Sequence, residues 1–277
     1  MSLYGDLVAR FSPVVYEFRT ARQIYTWRNQ MKLAQKYKDM KYKVMVPGKY
    51  STLHELCMSD HVEGTPQALL TAMDSMARKD ELWMMTLGDH KGKFLQEVIK
   101  QHQPKTVVEF GTYCGYSTLC IASCLPPGGH LISIDRDPRY LHVAQDIIRK
   151  AGLAHKVTFI RMHALDFRLP PEWRPVDFLF MDHAKKQYYG ALRNLEPHFR
   201  KGSVVMADDT GIFAKQMEDF LSHIRHSGLY ETQEHATLFS NRDDLKDVVQ
   251  YSVFKGSDPL PDSTSSPTPD AAPGPQT

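Results

Sequence analysis

Thr106-Val107-Val108-Glu109-Phe110-Gly111-Thr112-Tyr113-Cys114-Gly115-Tyr116-Ser117 is the stretch on which the reading of this chain turns. Its first five residues are β-branched or aromatic around a single acid, the composition of a buried strand. Two glycines four positions apart then punctuate a loop, and residues 117–124 continue as a helix. Strand, glycine loop and helix in that order present a ligand at the carboxyl end of a sheet strand.

Outward from that stretch the alternation repeats. Further strands are expected at 130–134, 157–162, 176–181 and 203–207, with helices at 138–151, 187–198 and 214–226, and two last strands at 230–238 and 248–254. Upstream, Thr65 and Pro66 read as the N-cap and first residue of a helix whose Leu69, Met73 and Met76 share a face, and a second helix covers 91–101. Short β-branched runs separated by helix-length segments specify an α/β fold. The expectation is a doubly wound, mostly parallel, seven-stranded Rossmann-like sheet with extra N-terminal helices, its final pair open to being antiparallel.

The two ends of the chain differ from this middle. Residues 1–50 carry ten Lys/Arg against three acids, and Tyr4, Leu7, Val8, Phe11, Val14, Val15 and Phe18 have helix-like spacing. Residues 1–60 are therefore read as a basic, helical extension, packed on the domain or acting as a peripheral membrane-surface arm. Residues 257–277 hold six prolines and one large apolar residue, Leu260, and are expected to be a disordered tail. The working domain is 61–256. A net charge of +2 with 42% hydrophobic residues excludes disorder throughout and implies no nucleic-acid partner. No apolar run approaches the roughly 18 residues of a membrane span. Cys57, Cys114, Cys120 and Cys124 show neither metal-ligand spacing nor a secretory context, so a reducing, cytoplasmic setting is expected.

In such sheets ligands gather at the carboxyl ends of the strands, and acids recur there: Glu109, Asp135, Asp182, and Asp208 with Asp209. Any one alone is more often a cap or a solvated loop residue; five on one sheet are harder to dismiss. The glycine spacing is not the G-x-G-x-x-G of a dinucleotide loop, and Glu109 beside it repels phosphate, which disfavours a nicotinamide oxidoreductase. S-adenosylmethionine has no phosphate. Its ammonium suits Glu109, and its ribose diol suits Asp135. Asp182, Asp208 and Asp209 are hard oxygen ligands suited to Mg2+, with Lys185 on the same rim.

At these residues the chain resembles the catechol O-methyltransferase family. The resemblance rests on 88–93 (Gly-Asp-His-Lys-Gly-Lys), 109–117, Met181-Asp182-His183-Ala184-Lys185, Ala207-Asp208-Asp209 and Phe254-Lys255-Gly256, matching in order and spacing over roughly 60–256. It implies an S-adenosylmethionine-dependent, Mg2+-dependent O-methyltransferase acting on a small phenolic substrate. By the same resemblance Asp182, Asp208 and Asp209 hold the metal and Lys185 is the general base. Leu87, Glu109, Gly111, Tyr113, Ser117, Asp135, Ala164 and Asp182 surround the cofactor. Trp83, Met85, Lys185, Asp209 and Asn241 face the substrate.

The pattern departs in places. Asp209 stands where the family has asparagine. The family's adenine-contacting serine and glutamine align with Ala164 and Leu165, and its tryptophan before the lysine with Ala184. Adenine recognition must then differ, with Asp166 or His183 as substitutes. Asn241 aligns with a glutamate that holds the second catechol hydroxyl. These departures leave open a non-catalytic cofactor-binding scaffold or a non-catechol acceptor. Retention of Asp182, Lys185, Asp208 and Asp209 argues for catalysis, with the phenol ionised beside a divalent ion and a neutral Lys185 taking its proton.

Overall fold

The computed structural model describes residues 48–79 and 85–256, save the side chains of 242–244. The expectations for the basic extension up to residue 47, for Trp83 and for the proline-rich tail lie outside the described residues. Contacts divide the chain between Lys49 and Tyr50, and the fold below is that of the second unit.

Helices α1 (Lys49–Met58), α2 (Pro66–Ala77) and α3 (Asp89–His102) precede the sheet. Thr65 caps α2 as its spacing predicts, its hydroxyl accepting from the Ala68 amide at 3.3 Å with Pro66 in the first turn. The sheet then alternates with helices: β1 (Thr106–Phe110), α4 (Tyr116–Cys124), β2 (His130–Asp135), α5 (Pro138–Lys150), β3 (Val157–Arg161), β4 (Val176–Met181), α6 (Tyr188–Leu195), β5 (Phe199–Ala207), α7 (Glu218–His226), β6 (Tyr230–Phe239) and β7 (Arg242–Phe254). Strand order is β3-β2-β1-β4-β5-β7-β6. The first five run parallel, and β7 pairs antiparallel with both β5 and β6.

This order places the site. The chain leaves β1 toward β2 and β3 on one side, then returns to build β4 and β5 on the other. The crevice outside the carboxyl ends of β1 and β4 is thus the topological switch point, where open α/β sheets bind ligands. Val107, Val108 and Phe110 of β1, Phe178 to Met181 of β4 and Val204 to Ala207 of β5 are buried, as expected of strands covered on both faces.

Four elements differ from the sequence expectation by more than two residues. The helix expected over 187–198 is α6 alone, flanked by 3-10 turns at Lys185–Gln187 and Glu196–His198, because Pro197 cannot donate to a continuing helix. The helix expected over 214–226 breaks at Met217 into a 3-10 turn and α7. Strand β5 starts at Phe199, where Val176 of β4 is already its partner across a bulge. Strand β7 starts at Arg242 rather than 248, pairing directly with Phe239 after a tight turn through Ser240 at φ +48°. Among the described residues no helix is long and apolar enough to cross a membrane.

Candidate active site

Gly111 locks the end of β1 to the end of β4. Its φ is +100°, and a Cβ there would stand 2.3 Å from the carbonyl oxygen of Asp182, so no other residue fits. The Asp182 amide donates to the Phe110 carbonyl at 2.8 Å, which brings the first and second constellations of acids into one crevice. Tyr113 follows in a left-handed conformation, φ +45°, and its amide donates to Asp135 Oδ2 at 3.0 Å. The Asp137 amide holds the other oxygen, Oδ1, at 2.9 Å. Asp135 is thereby fixed at the end of β2 with one lone pair on each oxygen still directed elsewhere.

Glu109 is fully buried in β1. Its Oε2 accepts from the hydroxyls of Thr118, at 2.6 Å, and Ser133. Its Oε1 makes no well-formed hydrogen bond. Burial pushes its pKa up to about 7 against the pull of the Ser117, Ser133 and Thr118 hydroxyls. A buried carboxyl with one idle oxygen in a crevice fits an incoming ammonium. Ser117 is buried in the first turn of α4, Ala164 is buried in the turn after β3, Leu87 lies in the core ahead of α3, and Met85 is half-buried.

The second constellation is denser than its sequence suggests. Asp182 closes β4, and Asp208 and Asp209 follow β5; their carboxylate oxygens lie within 4.8 Å of one another. Lys185 reaches back to Asp182 Oδ1 at 2.7 Å and Asp209 Oδ2 at 2.9 Å, and donates to the Tyr188 hydroxyl at 3.0 Å. Lys91, from α3, enters from the opposite side. It is fully buried, with its Nζ 2.7 Å from Asp208, 2.8 Å from Asp209 and 2.7 Å from Asp247 of β7. Asp247 is itself anchored by the amides of Gly211 and Ile212. Neither Lys91 nor Asp247 emerged as a site residue from sequence; the only signal was Lys91 inside the glycine-flanked segment 88–93.

Electrostatics follow from this crowding. Four carboxylates crowd around two ammonium groups, so full ionisation would leave an excess of negative charge. Burial and repulsion from Asp209 drive the Asp208 pKa well above the usual carboxylate range. Burial acts the same way on Asp209, but Lys185 and Lys91 outweigh it and hold that group low. Burial disfavours the Lys185 ammonium, yet Asp182 and Asp209 outweigh it and keep its pKa well above the ordinary lysine value. A divalent cation would offset the repulsion between the carboxylates. Carboxylate oxygens are the hard ligands that Mg2+ prefers, and one from each of the three residues lies within 4.8 Å of the others. The donor set fits Mg2+.

Two further residues complete the crevice. His183 stacks on Tyr188, ring centroids 4.8 Å apart, and neither of its buried nitrogens makes a well-formed hydrogen bond. Burial, then the Lys185 charge, lowers its pKa to about 3, so the imidazole is neutral. Asn241, beyond β6, donates from Nδ2 to the Thr86 hydroxyl at 3.2 Å and leaves Oδ1 without a partner. The structure thus brings together Glu109, Gly111, Tyr113, Asp135, Asp182, Lys185, Asp208 and Asp209 at the carboxyl edge of the sheet.

Residues 60–234 match the O-methyltransferase family model. The chain is 35% identical over 175 residues to a zebrafish catechol O-methyltransferase B, covering 61% of this chain and 65% of that relative's length. It is 32% identical over 201 residues to the mouse catechol O-methyltransferase, covering 70% of this chain and 74% of the relative. Among solved structures, a Streptomyces achromogenes O-methyltransferase involved in tomaymycin synthesis, in complex with S-adenosylmethionine, has the same fold, with a TM-score of 0.58 at 20% identity over 68% of this chain and 90% of that one. The chain therefore belongs to the O-methyltransferase family, whose reaction is S-adenosylmethionine-dependent O-methylation.

Proposed function

We propose that the crevice binds S-adenosylmethionine and Mg2+ together and methylates one hydroxyl of a catechol or similar vicinal-diol phenol, with residues 61–256 as the catalytic unit. The observation that carries this reading is the meeting of two unlike acid sets at one sheet edge. One is Glu109 with an idle buried oxygen; the other is Asp182, Asp208 and Asp209 with Lys185 against them. When bound, S-adenosylmethionine supplies an electrophilic methyl group and Mg2+ acidifies the acceptor hydroxyl.

The chain's own residues do the rest. Glu109 takes the cofactor's ammonium on Oε1, and Asp135, already held by two amides, accepts from the ribose hydroxyls. His183 offers an unpaired neutral imidazole where the family's adenine contacts are missing. Asp182, Asp208 and Asp209 hold the cation. Lys185 owes its ammonium to Asp182 and Asp209; with those carboxylates engaged by a cation it would be a neutral amine, able to take the acceptor's proton at Nζ. Lys91 and Asp247 hold Asp208 and Asp209 from behind, so that the ligand set is organised in advance.

The acceptor is the open element, and Asn241 bears on it. Its neutral amide oxygen would take the second hydroxyl where a carboxylate is usual. A neutral hydrogen bond contributes about 0.5–1.5 kcal/mol and one to a charged acceptor about 1.5–3. That difference favours an acceptor with groups beyond a bare catechol. A panel of simple catechols, flavonoid diols, hydroxycinnamoyl esters and the matching monophenols tests this. Turnover of vicinal diols with none on monophenols is expected; equal turnover of both would remove the chelating-diol reading and leave a methyltransferase of another acceptor.

A further inference from the structure

Away from the crevice, three metal-ligating side chains converge between α1 and α5. The ligand atoms of His54, His142 and Asp146 lie within 4.8 Å of one another. His54 Nε2 is 2.8 Å from Asp146 Oδ2, and His142 Nε2 is 3.8 Å from the same oxygen. Zinc bonds of ~2.0–2.1 Å to nitrogen and oxygen set neighbouring ligands about 3.3 Å apart on a tetrahedron. The two measured edges fall on either side of that value, and the third, between the imidazoles, is at most 4.8 Å.

The ligands are presented by elements already docked together. His142 and Asp146 are one turn apart on α5, a spacing that makes a chelating pair on one helix face. His54 comes from α1, whose last carbonyls are held by Lys150 of α5: Nζ donates to Cys57 at 2.8 Å and Ser59 at 2.9 Å. The Tyr50 ring meets the Tyr140 ring edge-on at 6.0 Å. Arg149 holds the other Asp146 oxygen, which orients the carboxylate and leaves Oδ2 to the two imidazoles. Imidazole nitrogens select zinc over magnesium, so this donor set differs in kind from the all-oxygen crevice. His54 also precedes residue 60, where the family match begins.

We propose that His54, His142 and Asp146 form a zinc site that staples α1 to α5, with a fourth position open to water. The neighbouring Arg149 charge opposes a cation, which keeps the site weaker than a buried four-ligand zinc centre.

Zinc titrated into the full-length chain at saturating Mg2+, followed by dialysis, metal analysis and thermal melting, tests this. Wild type should retain one zinc more than His142→Ala and gain a rise in Tm that His142→Ala and His54→Ala do not show. Zinc entering the carboxylate cluster is common to all three proteins and cancels in the comparison. The His142 side chain is 71% exposed, so its removal leaves the fold and the Mg2+-supported methyl transfer intact, and this variant decides the matter even if His54→Ala folds poorly. Equal zinc content and equal Tm shift in wild type and His142→Ala would overturn the site.

Discussion

The carboxyl of Glu109 does two opposing things, and pH separates them. Burial raises its pKa to about 7 from an ordinary 4.5, so between those values the folded chain holds a proton that the unfolded chain has lost. Fold stability from this group is complete at low pH and is lost as pH rises through 7. An ammonium bound at Oε1 favours the ionised form and so has the reverse dependence. Affinity for S-adenosylmethionine, measured by calorimetric titration, should rise from about pH 5.5 to about pH 7.5, above which the cofactor's own ammonium loses its proton, and approach about tenfold per unit below the Glu109 pKa. Glu109→Gln should bind weakly with a flat profile; an unchanged affinity in that variant contradicts the assignment.

Asp209 and Asn241 are the other informative single positions. Asp209 sits at φ +60°, a conformation asparagine tolerates as well, so Asp209→Asn tests charge without disturbing the backbone. It removes one negative charge shared by Lys91, Lys185 and the proposed ion. Metal affinity should fall while turnover at saturating Mg2+ persists; equal or tighter metal binding would sink the idea. Asn241→Glu restores a charged acceptor for the second hydroxyl and should raise kcat/KM on simple catechols about five- to tenfold with cofactor affinity unchanged. No gain on any vicinal diol would mean either that Asn241 does not stand in the glutamate's place or that the acceptor is not a catechol.

Between elements, the tie that matters most is Lys91, which carries α3 into contact with the ends of β5 and β7. Replacing it by methionine leaves Asp208, Asp209 and Asp247 buried with one counter-cation removed. Breaking a buried ion pair from one side costs about 3–5 kcal/mol. Lys91→Met should lose roughly that much in denaturant unfolding, and a loss under about 1 kcal/mol would show that the lattice carries little. Sequence could not expose this tie, because Asp209 and Asp247 lie 118 and 156 residues away and a lysine among glycines and charges reads as a helix surface. Strands β1 and β4 were legible to the residue because their apolar runs are bounded by turn signals. The first half of β7 was not, since Arg242, Asp243, Asp244, Lys246 and Asp247 look like a loop until β6 pairs with them. The acids at the strand ends were legible for a topological reason: a parallel sheet puts all those ends on one edge.

For the molecule as a whole, the winding of the sheet is what joins the proposed cofactor crevice to the proposed metal cluster. Gly111 permits the ends of β1 and β4 to touch, so Glu109 and Asp135 share one sheet edge with Asp182, Asp208 and Asp209. Four carboxylates share two ammonium groups there, and a divalent cation would offset the repulsion that raises the Asp208 pKa. Transfer of labelled methyl from S-adenosylmethionine to a vicinal-diol phenol, measured with Mg2+, with excess chelator, and in Asp182→Ala, tests that joint site most directly. Transfer with Mg2+ that falls to background in chelator and in Asp182→Ala is predicted; full transfer in excess chelator would contradict it.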